Sequence, residues 1–350
     1  MLTSVTFEGY RAFERLTCDG LARVNLFVGQ NNSGKTTILE GIEALVGGPE
    51  AALVTGPNRR GEQTVVDWFE GERRGEPDIT HLFHGHRLQP GRSFKLEGRG
   101  PELPPLRVEV IANEPSPRFA FPHDLRLRIS SGRQWEPEVP LSPDGAPLNV
   151  VYPDGRSIER TRPGVTFVGT AKAGESRLGR LWDAAVFTSD EVEVLAALRI
   201  VEPSIERIAF VTTGERSLER QIVVKLAGSD ARLPFGSFGE GLYRLFSTAL
   251  HLVGARSGYL LVDEIDTGLH YSVLEDLWRL VIKTATRLDV QVFATTHSRD
   301  CLHALANVLR VEPDLASQTA VHRVERGMAT TTQYSAAELV IADQQAMEIR

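Results

Sequence analysis

The chain has 350 residues, 41% hydrophobic and 24% charged, with a formal net charge of −7 and two cysteines. That size fits one large or two ordinary globular domains, and the acid excess excludes binding of nucleic acid through overall charge. No apolar run reaches the roughly 18 residues of a membrane span, the start "MLTSVTFEGYRAFERL" has no basic-then-apolar leader, and Cys18 and Cys301 are not in a metal spacing, so the expectation is a cytoplasmic protein without disulfides.

Residues 2–8 and 24–28 ("VNLFV") read as strands, and residues 35–46 as a helix with Ile38, Leu39, Ile42, Leu45 and Val46 on one face. The stretch 48–63, "GPEAALVTGPNRRGEQ", reads as a Gly/Pro/Arg loop. From about 92 to 170 come short β runs ("FKLEG", "LRVEVIAN", "LRLRIS", "VTFVG") with Pro and Gly between them. Residues 172–207 read as helical, and a strand "RQIVVKL" follows. Strict alternation then begins. A helix at about 239–253 carries Leu242, Leu245, Phe246, Ala249, Leu250 and Val253; strand "YLLVD" precedes a helix with Leu274, Leu277, Trp278, Val281 and Ile282; strand "VQVFATT" and a short helix close the series. Such alternation predicts a mostly parallel sheet covered by helices, beside an antiparallel β region and a helical lobe: an α/β fold. The expected division is an N-terminal part of the core at 1–90, a β and helical insertion at 91–231, and a C-terminal part of the core at 232–350.

Three motifs carry chemistry. "GQNNSGKT", Gly29 to Thr36, is a phosphate loop with the required strand before it and helix after it. Gly29 and Gly34 let the backbone curl around one anion, Lys35 reaches the β- and γ-phosphates, and the Thr36 hydroxyl ligates Mg²⁺. Asn31, Asn32, Ser33 and Thr37 complete the candidate ATP-binding set. The second motif, "YLLVDEID", ends a buried strand in acids. Asp263 there supports Mg²⁺, and Glu264 orients the attacking water in line with the γ-phosphate. The next strand ends at His297, placed to meet the γ-phosphate or that water; Ser298 beside it lacks a nucleophile-elbow context. The third is "SFGEGLYRL", whose Ser237, Gly239, Glu240 and Gly241 open a helix and offer backbone N–H groups to an anion. "HLFHGH", with His81, His84 and His86, reads as a solvated turn rather than a metal site.

With these elements in this order, the chain resembles the ABC-class ATPase heads, and within them the RecF/SMC/OLD-like branch. The resemblance is close over about 1–48 and 232–300 and loose between. "VTFEGYRAFERL" followed by "VNLFVGQNNSGKTTILEGI" is similar to that branch's opening, as are "DEIDTGLHYS" and "FATTHSRD". "SFGEG" departs from the commoner Leu-Ser-Gly-Gly signature but keeps Ser237 and Gly239, and "TGLH" stands where a transporter has its D-loop aspartate. The ending "YSAAELVIADQQAMEIR" is similar to stand-alone OLD-type members.

The resemblance implies that two heads face each other and that each signature loop closes in trans over the ATP held by its partner. It also implies roles for Lys35, Thr36, Asp263, Glu264 and His297 as given above, and a place near the nucleotide for Arg11 in "GYRAF". Gln63 is a candidate for the glutamine loop only as a polar residue after the first helix. An AAA+ reading also suits "DEID", but it gives "SFGEG" no role and sets the acidic strand closer to the phosphate loop. No second acidic site after His297 fills the place of the Toprim nuclease domain of full OLD nucleases, and no sustained heptads supply an SMC arm.

The expected protein is therefore an ATP- and Mg²⁺-dependent homo-oligomeric switch, a dimer or a multiple of dimers, acting on a separate effector (nuclease or toxin), in defence against phage or plasmid DNA. DNA contact is left open, and no membrane is involved. The alternatives are a nucleotide-bound scaffold with little turnover and a RecF-like clamp on DNA.

Overall fold

β1 (Ser4–Tyr10) and β2 (Phe13–Asp19) form an antiparallel hairpin that turns through Arg11, whose φ of 49° is left-handed. The computed structural model describes residues 1–67, 73–100, 103–112, 125–132, 138–142, 144–147, 164–171, 174–212 and 220–349. The chain divides into two compact units, each assembled from separate stretches, so the three consecutive spans expected above each cross the division. The first unit comprises Met1–Leu21, Asn31–Pro163 and Val324–Thr332; the second comprises Ala22–Gln30, Gly164–Arg323 and Gln333–Arg350.

After β2 the chain passes through β3 (Val24–Val28) in the second unit and re-enters the first as α1 (Lys35–Gly47). The segment 48–63, expected as a loop, is largely helical: a π-type turn at Ala51–Thr55 leads into α2 (Gly56–Arg60). Pro57 sits in the first turn of α2, where a missing N–H costs nothing, so this proline starts a helix rather than breaking one. Arg59 and Arg60 of α2 pair with Glu43 and Glu40 of α1 at 2.5 and 2.6 Å, and these contacts over sequence distance favour helix where the Gly/Pro content argued for loop.

β4 (Gln63–Asp67) and β5 (Arg73–Pro77) make a two-stranded ribbon. β6 (Ser93–Arg99), β7 (Leu106–Ala112), β8 (Leu125–Ser130) and β9 (Glu138–Pro140) follow. These last four join the opening hairpin in one antiparallel sheet of order β2-β1-β6-β7-β8-β9, so the β runs continue the N-terminal sheet. In β7, Leu106, Val108 and Val110 are buried while Arg107 between them is exposed, the period-two pattern of a sheet with one wet face.

The second unit contains the parallel sheet. β10 (Val165–Val168) heads it, although "VTFVG" had been grouped with the antiparallel runs. α3 (Glu175–Ala185) and α4 (Ser189–Arg199) come next, and then β11 (Ile205–Thr212), whose start overlaps the end of the stretch 172–207 expected as helical. Pro203 stops the helical path, and the β-branched run beyond it pairs with β12 (Arg220–Leu226), which also pairs with β13 (Arg232–Pro234). α5 (Gly239–Gly254), β14 (Tyr259–Val262), α6 (Leu274–Arg287), β15 (Gln291–Thr296), α7 (Arg299–Val311), β16 (Thr319–Arg323), β17 (Thr332–Tyr334) and α8 (Ala336–Gln344) complete the chain.

The sheet order is β10-β14-β15-β3-β16-β17, with parallel pairing from β10 through β16. Every residue of β3, β14 and β15 is buried, as expected of parallel strands covered on both faces. α6, α7 and α8 bury Leu277, Trp278, Leu305 and Leu339 in one core with Val24, Leu26 and Val292. α3, α4 and the β11–β13 sheet form a second core around Trp182, Leu198, Ile222 and Phe246. Both cysteines are buried free thiols, and burial pushes Cys18 up to about 12 and raises Cys301 as well. Among the described residues no helix is long and apolar enough to cross a membrane.

Two buried histidines set an acid limit on this unit. His251 on α5 and His322 on β16 are each pulled down to about 4 by burial. Neither nitrogen of His322 has a partner among the described residues, and the ring lies 5.3 Å from that of Phe27. Such a ring stays neutral in the fold but protonates near pH 6.5 when unfolded, so stability falls as pH drops from 6.5 towards 4, by about 3 kcal/mol per ring at pH 4. Thermal midpoints measured between pH 7 and pH 4 should therefore fall in both wild type and His322→Leu, but less in the variant, which should match or exceed wild type at pH 7 because it removes an orphaned polar ring. An unchanged acid slope in His322→Leu would refute this.

Candidate nucleotide site and signature segment

The phosphate loop leaves the end of β3 at Gly29, whose φ is 151°, and ends at Gly34. Gly34 is required twice over: its φ is 103°, and a Cβ there would lie 2.5 Å from the Phe13 ring. Asn32 holds a left-handed φ of 62°, which asparagine tolerates. No side chain caps α1, and its first turn carries no acid, so the positive end of the helix faces the loop without a built-in counter-charge. The hydroxyl of buried Ser33 has no partner among the described residues. An uncapped helix start, a buried orphan hydroxyl and a buried lysine at the first helical position fit the phosphates of a nucleotide. Lys35 and Thr37 are buried, Thr36 is half-buried, and Asn31 and Asn32 are exposed.

Behind α1 lies a buried ion cluster. Arg11 donates to both carboxylate oxygens of Glu62 at 2.7 and 3.0 Å, and its Nε lies 3.1 Å from Glu40. Its neighbour Tyr10 is pushed up to about 12, mainly by burial. The structure thus gives the Arg11 guanidinium to Glu62 and Glu40. His84 pairs with the Arg11 carbonyl at 3.0 Å, while His81 and His86 face each other at 3.2 Å. Gln63 is exposed at the start of β4 and donates to Asn58.

In the second unit the acid pair is organised by one hydroxyl. Thr295, on β15, donates to Asp263 Oδ1 at 2.7 Å and accepts from the Glu264 N–H at 2.9 Å. Glu264 has a φ of 47°, a left-handed conformation that costs a non-glycine residue about 1–2 kcal/mol. It is held there from both sides, because its carbonyl accepts from Arg244 at 2.9 Å. Its carboxylate takes the Thr267 hydroxyl at 3.3 Å and lies 3.2 Å from His297 Nδ1. The structure therefore brings Asp263, Glu264 and His297 together.

The signature residues Ser237, Gly239 and Glu240 are exposed and Gly241 is half-buried, at the start of α5, which no side chain caps. The turn after the acid pair packs against them: a Cβ on Gly241 would lie 3.0 Å from the Gly268 carbonyl oxygen, and one on Gly268 2.8 Å from the stem of Glu240. One turn further along α5, buried Arg244 donates to the carbonyls of Gly169, Asp263 and Glu264 at 2.7, 2.7 and 2.9 Å. Burial lowers its pKa against the opposing pull of Asp263, Asp266 and Glu264. Sequence reasoning assigned no role to Arg244 or Thr295. The available signals were an arginine inside an otherwise apolar helix and the first of the two adjacent threonines in "ATTHS".

A phosphate loop after a buried parallel strand, an acid pair at the end of another, and a Ser-x-Gly-x-Gly helix start joined to that acid pair define a P-loop ATPase of the ABC class, of the SMC/RecF-like type. The chain belongs to the family described as "AAA domain, putative AbiEii toxin, Type IV TA system", whose model matches residues 24–300. It is 22% identical to an ATP/GTP phosphatase of Helicobacter pylori, over 91% of each chain. Among solved structures it shares its fold with an SMC head bound to the C-winged helix domain of ScpA, at a TM-score of 0.52 and 12% identity over 95% of this chain and 98% of that one. A Pyrococcus furiosus SMC head with an extended coiled coil, bound to the C-terminal domain of ScpA, gives 0.50 at 12% identity over 99% of both chains.

Two substitutions test the organisation of the acid pair. Thr295→Val keeps the shape but removes the bridging hydroxyl, and it should lower ATP turnover about tenfold or more with a small change in thermal midpoint. Arg244→Lys, whose ammonium lacks the fork that spans three carbonyls, should lose turnover to a similar degree. Steady-state phosphate release checks both, and wild-type rates would show that these contacts do not serve the acid pair.

Proposed function

We propose that the chain is an ATP-driven switch in which two copies close head to head on ATP and open after hydrolysis, controlling a separate effector. The observation that carries this reading is the coupling within the second unit. Signature residues that are exposed or half-buried open a helix whose Arg244 holds the main chain of both acids. A surface on which a second copy closes is thereby tied to the residues that position water.

In this reading Lys35 binds the β- and γ-phosphates, with Gly29, Asn31, Asn32, Ser33, Gly34 and Thr37 forming the rest of the cradle. Thr36 and Asp263 hold Mg²⁺, which when bound neutralises charge developing on the phosphates. Glu264 orients the attacking water, and His297, beside its carboxylate, steadies the same water or the γ-phosphate. Ser237 and the N–H groups of Gly239, Glu240 and Gly241 meet the γ-phosphate of the partner's ATP. Loss of that phosphate removes the contact, so one charged group sets the state of the pair. The family description, with its toxin–antitoxin wording, supports a setting in defence against phage or plasmid DNA, with a nuclease or toxin as effector.

Glu264→Gln should bind ATP, sediment as a dimer with Mg-ATP but not with ADP, and release no phosphate, while wild type turns over. A Glu264→Gln protein that stays monomeric with ATP overturns the switch. Wild type without turnover, with DNA present or absent, replaces it with a nucleotide-bound scaffold.

A further inference from the structure

The "HLFHGH" turn, whose sequence reads as merely solvated, is anchored within the first unit. Leu82 and Phe83 are buried, and the Phe83 ring meets that of Phe94 at 5.3 Å. The Arg11 N–H donates to the Leu82 carbonyl at 2.8 Å, and the His84 N–H donates to the Gly9 carbonyl at 2.9 Å. His84 also places its Nδ1 on the Arg11 carbonyl. His81 and His86 flank this anchored stretch, and both are exposed.

Their rings converge. His81 Nδ1 and His86 Nδ1 lie 3.2 Å apart, and ring planes inclined at 62° exclude stacking as the reason. Coordination bonds of about 2.0–2.1 Å put two nitrogens about 2.9 Å apart at a right angle and about 3.4 Å apart at the tetrahedral angle. The separation in the turn falls between those limits. The far side of His81 fits the same chemistry. Its Nε2 lies 3.6 Å from Asp78 Oδ2, and Asp78 Oδ1 is fixed by the Thr80 N–H at 2.9 Å. A carboxylate there favours the ring hydrogen on Nε2 and leaves the lone pair on Nδ1, facing His86. Imidazoles at metal centres are oriented in this way, by a carboxylate behind the ring. Packing limits the swing of that carboxylate, since a Cβ on Gly145 would lie 3.1 Å from Asp78 Oδ1. Without an ion, a hydrogen between the two Nδ1 atoms has to come from His86.

We propose that His81 and His86 bind a divalent transition-metal ion of the Zn²⁺ class through their Nδ1 atoms, with Asp78 orienting His81 from behind. The ion takes the place of the shared hydrogen, and the His86 ring proton moves to its Nε2. Among the described residues no three His, Cys, Asp or Glu side chains are placed together to hold an ion, so the pair supplies two ligands and water the others. Imidazole suits Zn²⁺, Ni²⁺ and Cu²⁺, whereas Mg²⁺ prefers oxygen, so the pair does not compete for the ion that accompanies ATP. The bound ion closes a ring across Leu82–His84, the stretch that holds the Arg11 main chain, and so stabilises the turn.

The test titrates chelator-stripped full chain with Zn²⁺ by calorimetry, without nucleotide and with Mg²⁺ in excess. Wild type should take up one equivalent more than either His81→Gln or His86→Asn, and only wild type should gain thermal midpoint from it. Asparagine tolerates the left-handed φ of 53° at position 86, so both variants should match wild type in midpoint before Zn²⁺ is added. Each should weaken uptake about 100-fold or more, and Asp78→Asn about 10- to 100-fold, the scale of a lost orienting partner. Nitrogen NMR of the imidazoles should show Nδ1 as the ligand in both rings. Uptake that is absent in wild type, undiminished in either histidine variant, or made through Nε2 overturns the site. Undiminished uptake in Asp78→Asn overturns the orienting role of the carboxylate.

Discussion

The main chain of Glu264 is held where an L-residue does not go by choice, and the carboxyl end of the parallel sheet is organised around that constraint. Its N–H is taken by the Thr295 hydroxyl and its carbonyl by Arg244, so the strain is opposed from two secondary-structure elements at once. The same threonine fixes Asp263, so the relative placement of the two acids is set by one side chain of the neighbouring strand. In the proposed role, a carboxylate that holds a water in line needs this rigidity, because a small misplacement costs much of the effect.

α5 joins this constraint to the rest of its unit. It contributes Leu245 and Leu252 to the core under the parallel sheet and Leu242, Phe246 and Leu250 to the core of the helical lobe. A helix gripped by two close-packed cores has its position fixed along its length. Its exposed start carries the signature residues, and Arg244 carries the bonds to Asp263 and Glu264. The start of α5 and the main chain of the two acids are therefore joined through the helix and one guanidinium.

The first unit solves a different problem. α1 begins at the phosphate loop and must leave its own N-terminus uncapped. The charges that secure it lie further along: Glu40 and Glu43 face Arg11, Arg59 and Arg60. Burying such a cluster is a poor route to stability but a strong source of register, since any slip leaves a charge unpaired. α2, whose Gly/Pro content predicts a loop, brings two of those arginines to α1.

The local motifs were legible because their chemistry is written in adjacent residues. Gly29–Thr36, Asp263–Glu264, His297 and Ser237–Gly241 are short strings in which each residue's expected role follows from backbone freedom, charge or a hydroxyl at fixed spacing, and the buried strands declared themselves by unbroken apolar runs. What the string did not contain were pairings across distance. "VTFV" joined the parallel sheet because Asp263's neighbouring strand lay open to it; Ile205–Thr212 became a strand because Arg220–Leu226 offered an edge; Gly56–Arg60 became a helix beside the α1 carboxylates. The sequence alone determined which residues are expected to meet phosphate, metal and water. Only the tertiary structure decided that Thr295 and Arg244 hold the acids in place, because hydrogen bonds to carbonyls and backbone N–H groups depend on where the chain passes and leave no pattern in the order of side chains.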